Sequence, residues 1–195
     1  MATEMPLLVL ASSSPYRKQL LDRLGLDYDT ISPDINESAL PGEAANDLVE
    51  RLAELKARAV GDTHPGLIIG SDQIATIGDE ILGKPGDHAN AVRQLTRLSG
   101  NSVTFHTGLC LLDTRHHEAQ VDVVPFTVQF RELTRGQIEH YLQREQPYNC
   151  AGSFKSEGLG ITLFEKMSGE DPTALIGLPL IRLTTMLRNA GIDLP

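Results

Sequence analysis

The chain is short of cysteine, of positive charge and of long apolar runs, and each shortage removes a class of protein. Its two cysteines, Cys110 and Cys150, stand far apart and outside any CxxC spacing. That argues against a disulfide or zinc framework and for a reducing compartment, so a cytoplasmic location is expected. The sequon-like Asn36-Glu37-Ser38 is then accidental. No apolar run approaches the ~20 residues of a membrane-spanning helix, so no membrane association is expected. The first 15 residues carry an apolar patch only at 7–11, with no basic residue before it, and are not expected to act as a signal peptide. Acidic residues outnumber basic ones, 26 to 17, for a net charge of −9. Nucleic-acid polymers usually need a basic face, so they are excluded as partners. A small anion then requires a locally basic site or a metal, which makes the few lysines and arginines informative. The P-loop pattern GxxxxGK[ST] is absent, as is any internal repeat.

What remains is a globular composition, 41% hydrophobic and 22% charged over 195 residues, enough for one domain spanning 1–195. Leu7-Leu8-Val9-Leu10 reads as a strand covered on both faces. Ser14 is a good N-cap and Pro15 suits the first helical position, with Leu20, Leu21 and Leu24 on one face and Gly25 as the stop. A strand is expected over 26–31. Asn46 or Asp47 is expected to cap a second helix, with Leu48, Leu52, Leu55 and Ala59 as its apolar stripe. Strand 67–69 follows, broken by Gly70-Ser71, and a short apolar piece at 80–82 ends in Gly83-Lys84-Pro85. A third helix is expected over 87–98. Two β-prone stretches, 103–112 and 121–130, pair antiparallel around a polar turn at 114–120. Helix 133–144, a short strand at 161–164 and a last helix from Gly177-Leu178-Pro179 to Leu187 complete the order. Strands alternate with helices early and a long hairpin comes late, which predicts a mixed α/β fold of two lobes with a cleft between them.

Chemistry is expected where strands end. Asp72 stands just past one strand and Lys84 at the end of the next, although both turns are also ordinary turn sequences. Arg17 and Lys18 lie in the first turn of the first helix, where cations oppose the helix dipole and a bound phosphate would explain them. Lys56 stands at the edge of its helix's buried face, a position that also suits a surface lysine with a buried stem. Glu37, Asp72 and Glu157 are the candidate acids, and a hard cation such as Mg²⁺ needs few protein ligands beside substrate phosphates. His106, His116, His117 and His140 have no ligand spacing, and His116-His117 reads as a hairpin tip.

In their order these pieces resemble the Maf family of nucleoside triphosphate pyrophosphatases. The matching residues are Ala11-Ser12-Ser13-Ser14-Pro15-Tyr16-Arg17, Asp34-Ile35-Asn36-Glu37, Arg51-Leu52-Ala53 with Lys56-Ala57, Gly70-Ser71-Asp72-Gln73 and Gly83-Lys84-Pro85. Further along come Leu98-Ser99-Gly100, Thr107-Gly108, Cys150-Ala151-Gly152-Ser153-Phe154, and Gly169-Glu170-Asp171-Pro172 leading to Gly177-Leu178-Pro179. The resemblance implies hydrolysis of a nucleoside triphosphate to the monophosphate and pyrophosphate, with a divalent cation, Mg²⁺ or Mn²⁺, as nucleotide house-cleaning. It implies the two-lobed α/β fold with an elongated mixed sheet shared with inosine triphosphate pyrophosphatases, often as a homodimer. By the same resemblance Asp72 is the catalytic acid, acting as proton acceptor or metal ligand. Glu37 helps hold the metal, and Ser13, Arg17, Lys56 and Lys84 line the triphosphate.

Gly-Ser-Asp-Gln with an aromatic at position 16 looks like the branch that acts on 7-methyl-GTP. Members acting on dTTP and UTP look like Gly-Ala-Asp-Thr, with arginine after the first proline. A 7-methylguanine ring is cationic, and an aromatic face beside a carboxylate is a sensible receptor. Tyr16 and Glu157 would supply those parts, and Gln73 amide bonds to a base edge. The branch carries tryptophan where this chain has Tyr16, the weaker cation–π partner. The alternatives are a dTTP/UTP pyrophosphatase and a nucleotide-binding regulator of septum formation without turnover.

Overall fold

The computed structural model describes residues 6–194; the ends of the expected domain and the first residues of the N-terminal segment lie outside the described residues. Strand β1 (Leu8–Ala11) leads into helix α1 (Pro15–Leu21). Ser14 caps this helix by accepting from Arg17 N, and a 3-10 turn over Asp22–Leu24 ends at Gly25 with φ 65°. Strand β2 (Asp29–Ile31) is shorter than the expected 26–31. Helix α2 (Ala45–Gly61) starts earlier than expected, with Ala44 at the N-cap and no side-chain cap bond. Asn46 instead turns its Oδ1 to His106 Nδ1, 2.7 Å away. Then come β3 (Leu67–Ile77), β4 (Glu80–Leu82) and the expected third helix α3 (His88–Leu98), with Asp87 as its N-cap.

The long hairpin is β5 (Ser102–Asp113) with β6 (Glu118–Phe130), its turn tightened to 114–117 because ladder pairing carries the polar ends. Helix α4 (Arg135–Glu145) opens on a capping box from Thr134 and Gln137. The expected strand at 161–164 is instead a 3-10 turn over Leu159–Leu163. Strand β7 (Phe164–Gly169) follows, exposed at every residue but Phe164, so no apolar alternation announced it. Helix α5 (Leu180–Asn189) closes the order.

One open seven-stranded sheet runs β2-β1-β3-β5-β6-β7, with β4 added to the far end of β3. The pairs of β1 with β2 and β3 are parallel and the others antiparallel, which makes the sheet mixed. Side chains alternate across β3 with the strand period of two. Leu67 and Ile69 join Leu10, Leu20, Leu183 and Leu187 under α1 and α5, while Ile68 joins Ala53, Ala57 and Cys110 under α2. The second lobe has its own core around Leu95, Phe105, Phe130, Ile138 and Phe154, packed by α3 and α4. Strands β3 and β5 contribute to both lobes.

The buried face of α2 differs from the expected stripe. Leu48, Val49, Leu52, Ala53, Lys56, Ala57 and Val60 are buried, whereas Leu55 is exposed. Small residues let this helix lie close on the sheet. A Cβ on Gly70 would stand 2.1 Å from Ala53 O, and one on Gly108 2.1 Å from Val49 O. Gly70 therefore serves a close helix approach and does not break the strand. Strand β3 continues through it to Ile77.

Candidate active site

Asp72 is the sixth of the eleven residues of β3, so the expectation that it stands past a strand end is corrected. Its access has another origin. Pairing of β1 with β3 stops at Ala11 and Gly70, and pairing of β4 with β3 begins at Ala75. Among the described residues, therefore, no strand pairs with 71–74 on that side. The strand end that opens the site belongs to β1.

A cleft of about 770 Å3 fills this gap. Ser13, Tyr16, Arg17, Glu37, Lys56, Asp72, Gln73, Lys84 and Glu157 all line it. Asp72 shares the α2 face of β3 with Gly70, and the close seating of the helix brings Lys56 to it. Lys56 Nζ donates to Asp72 Oδ1 at 2.6 Å and pairs with Glu37 Oε1 at 2.7 Å. Lys56 is 6% exposed, which overrules the surface-lysine reading. A buried ammonium needs such partners. Glu37 comes from the exposed loop after β2, and a fork anchors that loop. Arg51 Nε and Nη2 reach the Glu43 carboxylate at 2.5 and 2.7 Å, and Nη2 also donates to Ser38 O. The Lys56 bond holds the Glu37 carboxyl below its usual range, with added pull from Lys84 and Arg17.

Arg17 leaves the first turn of α1 toward the cleft. Its Nε donates to Gly177 O at 2.8 Å and its Nη1 to Ser12 Oγ at 3.4 Å. Burial draws its pKa below the ordinary arginine value, and the charges of Asp72 and Glu37 oppose that pull. Lys18 turns outward to Asp22 and takes no part. On the opposite face of β3, Gln73 is committed to the scaffold. Its Nε2 donates toward Ala174 O at 2.6 Å, Thr107 Oγ1 at 3.0 Å and Leu175 O at 3.1 Å. The expected amide donors to a base edge are thereby engaged, and Oε1 is the atom left for that role.

The second lobe supplies Lys84 and the 149–157 loop. Lys84 sits between two tied backbone groups: Gln94 Nε2 donates to Gly83 O at 3.0 Å and Gly86 N to Tyr148 O at 3.0 Å. Phe154 anchors the loop by edge contacts with Phe105, Phe130 and Phe164. Glu157 and Tyr16 face the same cleft from opposite lobes. Lys155 lines it as well and was not singled out from the sequence. Its signal was there, a lysine two residues before Glu157 in a glycine-flanked loop. Ser12 was likewise passed over, although its hydroxyl accepts from both Ser14 N and Arg17.

The donor set suits a hard cation. Each of Glu37 and Asp72 spends one oxygen on Lys56, and such a cation takes one or two carboxylates together with phosphate oxygens and water. Among the described residues no cluster of three or more His, Cys, Asp or Glu adds to them.

A family model described as Maf-like protein matches residues 7–190. The chain belongs to the Maf-like family. A protein of Nitrosococcus oceani named 7-methyl-GTP pyrophosphatase is 60% identical to this Maf-like chain, over 95% of the chain and 94% of that protein. One of Alcanivorax borkumensis with the same name is 57% identical over the full length of both. Among solved structures, a HAM1 protein from Coxiella burnetii aligns with a TM-score of 0.54 at 17% identity, over 95% of this chain and 100% of that one. The Staphylococcus aureus Ham1 protein aligns with a TM-score of 0.55 at 14% identity, over 94% and 98%. These two likenesses concern the fold, and the mixed α/β architecture expected for the Maf-like chain agrees with them.

Proposed function

We propose that the chain hydrolyses a nucleoside triphosphate, 7-methyl-GTP foremost, to the monophosphate and pyrophosphate. The observation that carries this is the buried Lys56 held between Asp72 and Glu37 in a cleft that also receives Arg17 and Lys84. An acidic chain that gathers four cations, Arg17, Lys56, Lys84 and Lys155, around one cleft is equipped for a polyphosphate. The names of its relatives support pyrophosphatase chemistry and the methylated base.

Arg17, Lys56 and Lys84, with the Ser13 hydroxyl, bind the phosphates and stabilise charge that builds on them as the α-phosphate is attacked. Asp72 accepts the proton of the attacking water or orients it. Glu37 and Asp72 would hold Mg²⁺ or Mn²⁺, which supplies Lewis-acid polarisation of phosphate oxygens when bound. The cationic ring of 7-methylguanine stacks on Tyr16 with Glu157 as counter-charge. The same reading keeps the enzyme in the cytoplasm, acting on a free nucleotide as a homodimer, apart from nucleic-acid polymers and membranes.

The test is pyrophosphate release from 7-methyl-GTP, GTP, dTTP, UTP and CTP with Mg²⁺ or Mn²⁺. The highest kcat/KM is expected with 7-methyl-GTP. A best rate on dTTP or UTP overturns the base assignment, and no release from any of them overturns the enzyme assignment.

A further inference from the structure

The segment from Asp171 to α5 was matched as a motif without a role, and it lines up three backbone carbonyls behind the cleft. Ala174 O and Leu175 O receive Gln73 Nε2, and Gly177 O receives Arg17 Nε at 2.8 Å and Ser71 Oγ at 3.0 Å. Gly177 has φ 119°, a left-handed conformation that glycine takes at low cost. One side chain closes this segment at both ends. Asp171 Oδ1 accepts from Thr173 N at 2.9 Å and Thr173 Oγ1 at 2.6 Å, and its Oδ2 accepts from Ile181 N at 2.8 Å. Thr173 Oγ1 in turn accepts from Leu180 N at 2.8 Å, and Gly177 N bonds back to Thr173 O at 3.2 Å.

Asp171 is 2% exposed, and among the described residues no lysine or arginine forms an ion pair with it. A buried carboxylate without a counter-ion is costly unless hydrogen bonds satisfy it. Two of its bonds run to Thr173 in the turn that follows it, and the third to Ile181 N in the first turn of α5, where the helix dipole favours an anion. A local need for a cap does not explain a carboxylate here, because serine or threonine caps a helix without burying charge. The acceptor must reach two separated stretches of backbone at once, 173 and 181, and only a carboxylate offers two oxygens with no donor between them.

We propose that Asp171 is the positioning residue for Arg17. By closing residues 171–181 into a rigid loop it holds the Gly177 carbonyl where the guanidinium is caught and aimed into the cleft. The activity arm of the test below rests on the pyrophosphatase assignment; the exchange arm does not.

In Asp171→Asn the carboxamide places an NH2 against a backbone N–H whichever way it turns, so one end of the loop opens. The Arg17 Nε–H signal in 15N-edited NMR, assigned by its loss in Arg17→Ala, is expected to exchange with water about tenfold faster in Asp171→Asn than in the wild type. In a double-mutant cycle on kcat/KM, Arg17→Ala is expected to cost about a hundredfold in the wild type and about tenfold in Asp171→Asn, because there the guanidinium is already misplaced. Lys84→Ala, on the other lobe, costs the same in both backgrounds. If Asp171→Asn does not fold by circular dichroism, Thr173→Val, which keeps the side-chain shape, takes its place in both arms with the same expected direction. Unchanged Arg17 Nε–H exchange in a folded variant, or losses that simply multiply, overturns the proposal. If the wild type releases no pyrophosphate, the enzyme assignment falls and the exchange measurement alone decides the role of Asp171.

Discussion

Asp72 holds a charge at 8% exposure because Lys56 neutralises it at 2.6 Å, and Lys56 is held in turn by Glu37. The three form one unit whose members are expected to fail together. Asp72→Asn keeps the shape and removes the proton acceptor. It should lose turnover by about 10²–10⁴-fold while its circular dichroism spectrum stays that of the wild type. Pyrophosphate release near the wild-type rate from that variant would rule Asp72 out as the acid. Both carboxylates were legible as candidates in the sequence, and Lys56 only as a residue at the edge of a buried face. Its ion pairs were not legible, since they join positions 16 and 19 residues away through the seating of a helix on a sheet. Gln73 shows the converse. Its place beside Asp72 suggested base recognition, and the structure spends its amide nitrogen on the 174–175 carbonyls.

Helix α2 is the element on which the site depends, for it carries Lys56 and, through Arg51, fixes the loop that brings Glu37. Gly70→Ala puts a methyl group against Ala53 O and pushes the helix off β3. Overpacking of this kind costs about 1–3 kcal/mol or more, read as a lower urea midpoint. Because Lys56 moves with the helix, kcat/KM should fall as well; an unchanged midpoint would refute the close-approach account. The Glu43–Arg51 fork gives a second prediction, set by pH. The Arg51 hydrogen bond lowers the Glu43 pKa to about 2, below the ordinary carboxylate range. Stability from this pair is therefore complete above the unfolded-state pKa of about 4.3 and is lost as pH falls from there toward the folded value. The difference in urea midpoint between the wild type and Glu43→Gln should hold steady from pH 7 to 5 and shrink below 4.3. A difference that persists undiminished at pH 2 contradicts the assignment.

At the scale of the whole molecule the cleft is bounded by two lobes, one with a core under α1 and α5 and another under α2 on the opposite sheet face, the other with a core under α3 and α4. Strand β5 feeds both, with Phe105 in one and Leu109 and Leu111 in the other. Neither half can lose its packing without disturbing the shared ladder. The chain is therefore expected to unfold as a single domain, in one transition by circular dichroism and by tyrosine fluorescence. Leu183→Ala in one lobe and Phe154→Ala in the other should each lower that common midpoint, at a cost of about 2–5 kcal/mol. Two separable transitions would show that the lobes are independent units. A ligand that touches both lobes, as Tyr16 and Glu157 would on one base, stabilises the same transition.

The sequence by itself determined which stretches are helix and which are strand wherever periodicity or a cap is strong: β1, α1 with Ser14 and Pro15, α3, the β5–β6 hairpin and α4. It also determined the family, because the order of short motifs along nearly the whole chain is specific even when each is weak. Only the tertiary structure decided that Asp72 lies mid-strand beside the end of β1, that Lys56 is buried, and that the Gly177 carbonyl meets Arg17. Periodicity reports how a segment's own residues divide between water and core. Where a neighbouring strand stops, how close a helix can lie, and which carbonyl meets which side chain depend on contacts between residues far apart in the chain, with small residues such as Gly70 setting the distances.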